Sequence, residues 1–220
     1  FHLQDFLLII QVIIMWFSTF IQSSIGKKWI MAATGLFLLL FLVSHAAGNA
    51  TLFASSELFQ AYADQLHSHP LIVTVFSSGL LLIFLVHVAT GIILFFQNRQ
   101  ARPTRYRVTA RAAKNTLASG TMIYSGLCIL LFISIHMLNF SLGNEGQPIS
   151  TIVTTLLARP LYGLFYVAAF LFLALHLSHG FWSMLQTFGL NHPRYTWLIS
   201  RLTYIVPLTF LIFFAAIPLL

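Results

Sequence analysis

Charge is what this chain has least of. Only 7% of its 220 residues are charged, and four of them are acidic: Asp5, Glu57, Asp64 and Glu145. With 59% of residues hydrophobic, too little polar surface is left to cover a soluble globule of this length. The one cysteine, Cys128, lies inside an apolar run. This excludes a disulfide, an iron–sulfur cluster or a Cys-x-x-Cys-His haem attachment built from this chain alone. A glycine-rich dinucleotide fingerprint is also missing, so no nucleotide site is expected.

What fills the chain is apolar sequence. Runs from Trp29 to Asn49, Leu71 to Gln97, Thr116 to Phe140, Pro160 to Phe188 and Tyr195 to Leu220 each reach the roughly 20 residues that cross a hydrocarbon core as a helix. They are apolar on every face, unlike the short alternating strands of a membrane barrel. The expected fold is an all-α membrane protein with five transmembrane helices in one bundle over residues 24–220. Residues 1–23 are set apart: Phe6 to Ile21 is apolar, but Gln4, Gln11, Ser18 and Gln22 recur along one face. That pattern predicts an amphipathic helix at the membrane surface or against a partner. No basic start or small-residue cleavage site precedes Gly26, which argues against a secretory signal.

The formal net charge is +7, and its placement speaks for membrane orientation rather than for nucleic acid. Lys27 and Lys28 precede the first span. Arg99, Arg102, Arg105, Arg107, Arg111 and Lys114 fill the second connection, and Arg194 and Arg201 flank the fourth. All fall on one side, with only Arg159 on the other. By the positive-inside rule the Lys27 end and the 98–115 and 189–196 loops are cytoplasmic. The 50–70 and 141–159 segments then face outward.

Within the spans, two stretches repeat. Thr34-Gly-Leu-Phe-Leu-Leu-Leu-Phe-Leu-Val-Ser-His45 matches Ser125-Gly-Leu-Cys-Ile-Leu-Leu-Phe-Ile-Ser-Ile-His136, and His87-Val-Ala-Thr-Gly91 matches His176-Leu-Ser-His-Gly180. Ionisable groups inside a membrane are costly enough that function is the default expectation, and neutral imidazole is a metal ligand. At about 1.5 Å rise per residue, His45 and His136 lie about 26 and 30 Å from the inner ends of their helices, and His87 and His176 about 15 to 18 Å. The histidines thus form two layers, about 10 to 15 Å apart. A haem with two axial imidazoles needs two histidines at one level on facing helices, and the chain offers this twice. Gly35 and Gly126 precede the outer histidines by ten residues and are expected where a macrocycle passes between helices. Gly91 and Gly180, one turn from the inner histidines, are expected to relieve the same crowding, or simply to permit close helix packing. His179 is the rival of His176 on the fourth span and is expected at a propionate or a partner. His67 and His69 precede Pro70 in the outward segment, and His2 and His192 are expected at the surface.

The residues Thr34 to His45, Val86-His87, Ile135-His136 and Leu175-His176-Leu-Ser-His-Gly-Phe-Trp-Ser183 closely resemble the dihaem cytochrome b membrane anchor of succinate:quinone and fumarate:quinone oxidoreductases, the five-helix single-anchor form of respiratory complex II. The similarity spans residues 24 to 220. It implies two b haems, with His87 and His176 holding the one proximal to an iron–sulfur subunit and His45 and His136 the distal one. It further implies a bacterial cytoplasmic membrane, with electron transfer between a cytoplasmic iron–sulfur subunit and menaquinone. A separate flavoprotein subunit would handle the dicarboxylate, and the complex would be open to higher oligomers. The basic 98–115 loop and Arg194 would dock the iron–sulfur subunit. Quinone reduction also moves protons, so titratable groups are expected near the distal haem; Asp64 and His67 are the favoured carriers in a segment that also holds Glu57 and His69. Where some family members carry a glutamate two residues before the fourth ligand, this chain has Ala174, and no Asp or Glu lies in the five spans. Electron transfer across the membrane is therefore expected to respond to membrane potential. The alternatives are a hydrogenase or formate dehydrogenase anchor, or a haem-free scaffold or transporter. The cytochrome b of quinol:cytochrome c oxidoreductases differs in placing two ligands on one helix about thirteen residues apart.

Overall fold

A computed structural model describes residues 3–101, 117–142 and 146–220. His2, Arg102, Arg105, Arg107, Arg111, Lys114 and Glu145 lie outside the described residues. Among the described residues, eight main helices follow one another: α1 (Leu3–Gln22), α2 (Ser24–Ala50), α3 (Ser56–His67), α4 (Pro70–Gln100), α5 (Met122–Met137), α6 (Ile149–Leu157), α7 (Pro160–Thr187) and α8 (Thr196–Ala216). Short turns at Thr51–Phe53, Leu117–Gly120, Leu138–Leu142 and Ile217–Leu219 extend them. No strand occurs among the described residues.

Local chemistry sets the boundaries. Ser23 caps α2 by accepting the Gly26 N–H at 2.9 Å, and Ser55 caps α3 by accepting the Leu58 N–H at 3.1 Å; each hydroxyl satisfies a backbone donor that the first turn leaves free. Pro70 and Pro160 open α4 and α7, where a missing N–H costs nothing. At the end of α7, Gly189 adopts φ +74°. Its N–H reaches the Gln186 carbonyl at 3.1 Å, and the Leu190 N–H reaches the Leu185 carbonyl at 3.0 Å. That left-handed closure stops the helix before the basic loop.

Among the described residues, six helices are long and apolar enough to cross a membrane. Five of them correspond to the expected spans. The sixth is Gln4–Gln22 in α1, whose mean hydropathy of 1.8 equals that of Met122–Phe140. The sequence separates α1 as an interfacial helix, but four polar residues on one face do not bring its hydropathy below that of a span, so it stands as a sixth candidate. It turns sharply into α2, where a Cβ at Gly26 would fall on the Phe20 carbonyl oxygen. From Gln4 to Thr19 its side chains are exposed.

The histidine-bearing helices form a ring. Helix α2 packs on α4, α4 touches α5, α5 packs on α7, and α7 returns to α2, with α8 along the outside of α7. The Lys27 Nζ donates to Gln97 Oε1 at 3.0 Å, so the start of α2 and the end of α4 are level, as antiparallel neighbours require. At the opposite end Leu52, Phe59, Val153, Leu157, Tyr166, Phe170, Phe214 and Ile217 form a buried cluster. Helices α3 and α6 contribute to it, and Gln60 links them by accepting the Ser150 N–H at 3.1 Å.

Candidate functional site

The ring of α2, α4, α5 and α7 encloses a cavity of about 2160 Å³, more than twice the roughly 1,000 Å³ at the upper end of ordinary small-molecule pockets. All four repeat histidines line it, as do His179, Gly35, Gly126, Gly91 and Gly180. Among the described residues, no Asp or Glu lines it.

Across the diagonals of the ring the histidines meet in pairs. His45 of α2 and His136 of α5 have ring centres 5.9 Å apart, and His87 of α4 and His176 of α7 have ring centres 6.3 Å apart. A linear nitrogen–metal–nitrogen bridge with bonds of about 2 Å holds its two nitrogens about 4 Å apart. Each ring centre lies about 1 Å behind its nitrogen, giving about 6 Å between ring centres. Both separations match that distance. Among the described residues no three His, Cys, Asp or Glu side chains converge. Two facing imidazoles are nevertheless a complete protein contribution when a macrocycle supplies the other four nitrogens.

The two pairs differ in their surroundings. The outer pair sits in aromatic packing: His45 lies 5.4 Å from the Phe41 ring and 6.0 Å from Phe214, and His136 lies 5.6 Å from Phe132, 5.0 Å from Phe140 and 6.2 Å from Tyr166. His136 Nδ1 is buried with no hydrogen-bond partner, a situation that costs free energy unless another group satisfies the ring. In the inner pair, His87 Nδ1 is 3.0 Å from Thr34 Oγ1 and His176 Nδ1 is 3.4 Å from Ser125 Oγ. Thr34 and Ser125 were not among the residues expected at the site, although each opens one of the two long repeats.

The glycines resolve into three situations. A Cβ at Gly35 would lie 3.5 Å from His87 Cε1, and one at Gly126 would lie 3.5 Å from His176 Cε1. These two therefore make room for the inner imidazoles themselves. Gly91 faces the Met31 methyl at 3.1 Å, and Gly180 has open space within 4 Å. A further glycine, Gly48, was not anticipated: a Cβ there would meet Tyr62 Cε1 at 2.7 Å, so it is what lets α3 lie against α2.

Polar groups gather at the cavity's two ends. Lys27, Lys28, Gln97 and Asn98 lie at the inner end, and Asn49, Tyr62 and His67 line the wall next to α3. Of the residues expected to exchange protons, His67 lines the cavity and Asp64 does not. The Asp64 carboxylate accepts from Gln60 Nε2 at 2.7 Å. His67 Nδ1 donates to the Ala63 carbonyl at 2.8 Å, which leaves Nε2 as its lone-pair nitrogen. At the start of α3, the Glu57 backbone N–H and the Ser55 side chain hold the Glu57 carboxyl below the ordinary carboxylate range. Comparison with protein-family models, with curated proteins and with solved structures gives no match to this chain.

Proposed function

We propose that this chain is a dihaem cytochrome b membrane anchor of a succinate:quinone or fumarate:quinone oxidoreductase. It would carry electrons between a cytoplasmic iron–sulfur subunit and menaquinone in a bacterial cytoplasmic membrane. One observation carries the reading: two diagonal histidine pairs, with ring centres 5.9 and 6.3 Å apart, face a single apolar cavity. Bound there, two b haems would supply reversible one-electron chemistry at two depths.

The protein's own part is to bind, orient and insulate. His45 and His136 hold the outer haem iron, and His87 and His176 the inner. The apolar lining accepts the macrocycles, while Lys27 and Lys28 offer cations to inner-haem carboxylates. His179, three residues beyond His176, serves a propionate or a partner. His67 is the first choice for the quinone's proton, with Asp64 one turn away on the solvent side. The flavoprotein, which holds the dicarboxylate site, and the iron–sulfur subunit dock on the cytoplasmic side, where Arg194 and the 98–115 loop provide positive charge.

The test is spectroscopic. The purified protein is expected to show two b-type components in reduced-minus-oxidised spectra and two haems per chain by pyridine haemochrome assay. A colourless protein overturns the proposal. Mass spectrometry of subunits that co-purify then names the reaction: a flavoprotein with an iron–sulfur protein supports this reading, and a hydrogenase or formate dehydrogenase catalytic subunit replaces it.

A further inference from the structure

The long repeats begin with the same two-residue unit, a hydroxyl residue followed by glycine: Thr34-Gly35 on α2 and Ser125-Gly126 on α5. Ten residues separate each glycine from the outer histidine of its own helix. Yet both units touch the inner histidines, which belong to the other two helices. Gly35 leaves space against His87 Cε1 and Gly126 against His176 Cε1, each at 3.5 Å from a would-be Cβ. The neighbouring hydroxyls reach the same two rings at Nδ1, at 3.0 and 3.4 Å.

The direction of these bonds follows from where the hydroxyl protons go. Thr34 Oγ1 donates to the Ile30 carbonyl at 2.7 Å, and Ser125 Oγ donates to the Met122 carbonyl at 3.0 Å. Each hydroxyl has one proton, and the backbone has taken it. What faces the imidazole is an oxygen lone pair, so the ring must donate; His176 also bonds the Met122 carbonyl, which shares the part played by Ser125 Oγ at 3.4 Å. His87 and His176 therefore carry their proton on Nδ1 and keep Nε2 as a bare lone pair, the form that ligates a metal. The outer pair differs: among the described residues no hydroxyl bonds to either of its rings, and His136 Nδ1 is buried without a partner.

We infer that Thr34 and Ser125 are positioning residues that lock the tautomer of the inner axial ligands and, by drawing on the ring N–H, hold the inner iron at a lower reduction potential than an unassisted pair would have. This rests on the two-haem reading above. A ring that donates from Nδ1 is a more basic ligand at Nε2, and a more basic ligand favours the ferric state. Helices α2 and α5 would then serve both cofactors, ligating one and tuning the other.

The experiment is a redox titration of the intact complex, with optical and low-temperature EPR detection, on wild type and on Thr34→Val, Thr34→Ser and Ser125→Ala. Valine keeps the shape of threonine and removes the acceptor; serine keeps the acceptor and removes the methyl. Only the difference in the bond's strength between the ferric and ferrous states moves the potential; a net hydrogen bond of about 0.5 to 1.5 kcal/mol therefore changes the oxidised-to-reduced ratio by at most about 2- to 13-fold at fixed potential, where tenfold is about 59 mV for one electron. In Thr34→Val the inner component, the one abolished by His87→Ala, is expected to move up in potential by as much as that amount, and in Ser125→Ala by less, because the Met122 carbonyl still accepts from His176, while the outer component stays. Thr34→Ser is expected to titrate as wild type. The inference is overturned if Thr34→Val leaves both potentials in place, if both components shift together, or if Thr34→Ser behaves like Thr34→Val. A wild-type protein without haem would instead refute the two-haem reading itself, and the two failures are told apart before any variant is made.

Discussion

Replacing Gly126 tests the inner site at its tightest point. A Cβ at this position would stand 3.5 Å from His176 Cε1 and 3.8 Å from Nδ1, which is ordinary contact, so Gly126→Ala is expected to keep both haems. Leucine adds a carbon about 1.5 Å further out, which brings it well inside contact distance of the imidazole unless it turns away into the cavity. Either outcome works against ligation: the ring is pushed off its line to His87, or the macrocycle's space is taken. Overpacking of this kind costs about 1 to 3 kcal/mol, equivalent to about a 5- to 160-fold loss of affinity. Gly126→Leu is therefore expected to carry about one haem per chain by pyridine haemochrome assay, and redox titration should show that the missing component is the one His176→Ala removes. Circular dichroism of the detergent-solubilised protein checks that the helices persist. The reasoning is refuted if Gly126→Leu retains two unaltered components, if it loses the outer haem instead, or if alanine does as much damage as leucine.

The remaining expectations follow from the same geometry. Alanine at His45 or His136 should remove one b-type component and alanine at His87 or His176 the other, by redox titration; losing both components from any single change would argue against independent pairs. The imidazole planes cross at 85° in the outer pair and 65° in the inner. Crossed planes act on different iron d orbitals and leave them nearly degenerate, so ferric EPR should show two low-spin signals with a large maximal g value, larger for the outer haem. A rhombic spectrum typical of parallel rings would contradict this. Gly48→Ala places a carbon 2.7 Å from Tyr62 Cε1 and should cost about 1 to 3 kcal/mol, seen as a lower thermal midpoint that Tyr62→Ala partly restores. Since no acidic residue lies in the five expected spans, menaquinone-linked turnover in proteoliposomes should change when an uncoupler collapses the membrane potential; insensitive turnover would count against it.

Much of this arrangement is legible in the sequence because membrane helices obey simple rules. Length and hydropathy locate the spans, and a constant rise per residue turns positions into depths, so the partnership of His45 with His136 and of His87 with His176 follows from arithmetic along the helices. Rotation about each helix axis is a different matter. That a Cβ at Gly35 or Gly126 would stand against an imidazole, and that Thr34 and Ser125 reach across to neighbouring helices, depends on which way each helix is turned, and packing decides that. The same limit applies to Gly48, whose partner Tyr62 lies on a short helix beyond a turn. Asp64 and His67 lie three residues apart on α3, yet only His67 lines the cavity. For α1 the difficulty is of another kind, because its polar face and its overall hydropathy favour opposite placements.

Burial inside the chain is distributed unevenly among the spans. Within the windows of the spans that carry His45, His87 and His136, only 6% of residues are buried inside the chain, against 22% for the fourth and fifth spans. The buried cluster lies toward the outer end, around Phe170 and Phe214, so it does not account for the inner half of the ring. There the four helices line the cavity that the His87 and His176 rings face. On the proposed two-haem reading, the macrocycles would contribute packing to this half of the ring, and lipid, being as apolar as the side chains, would offer no competing force.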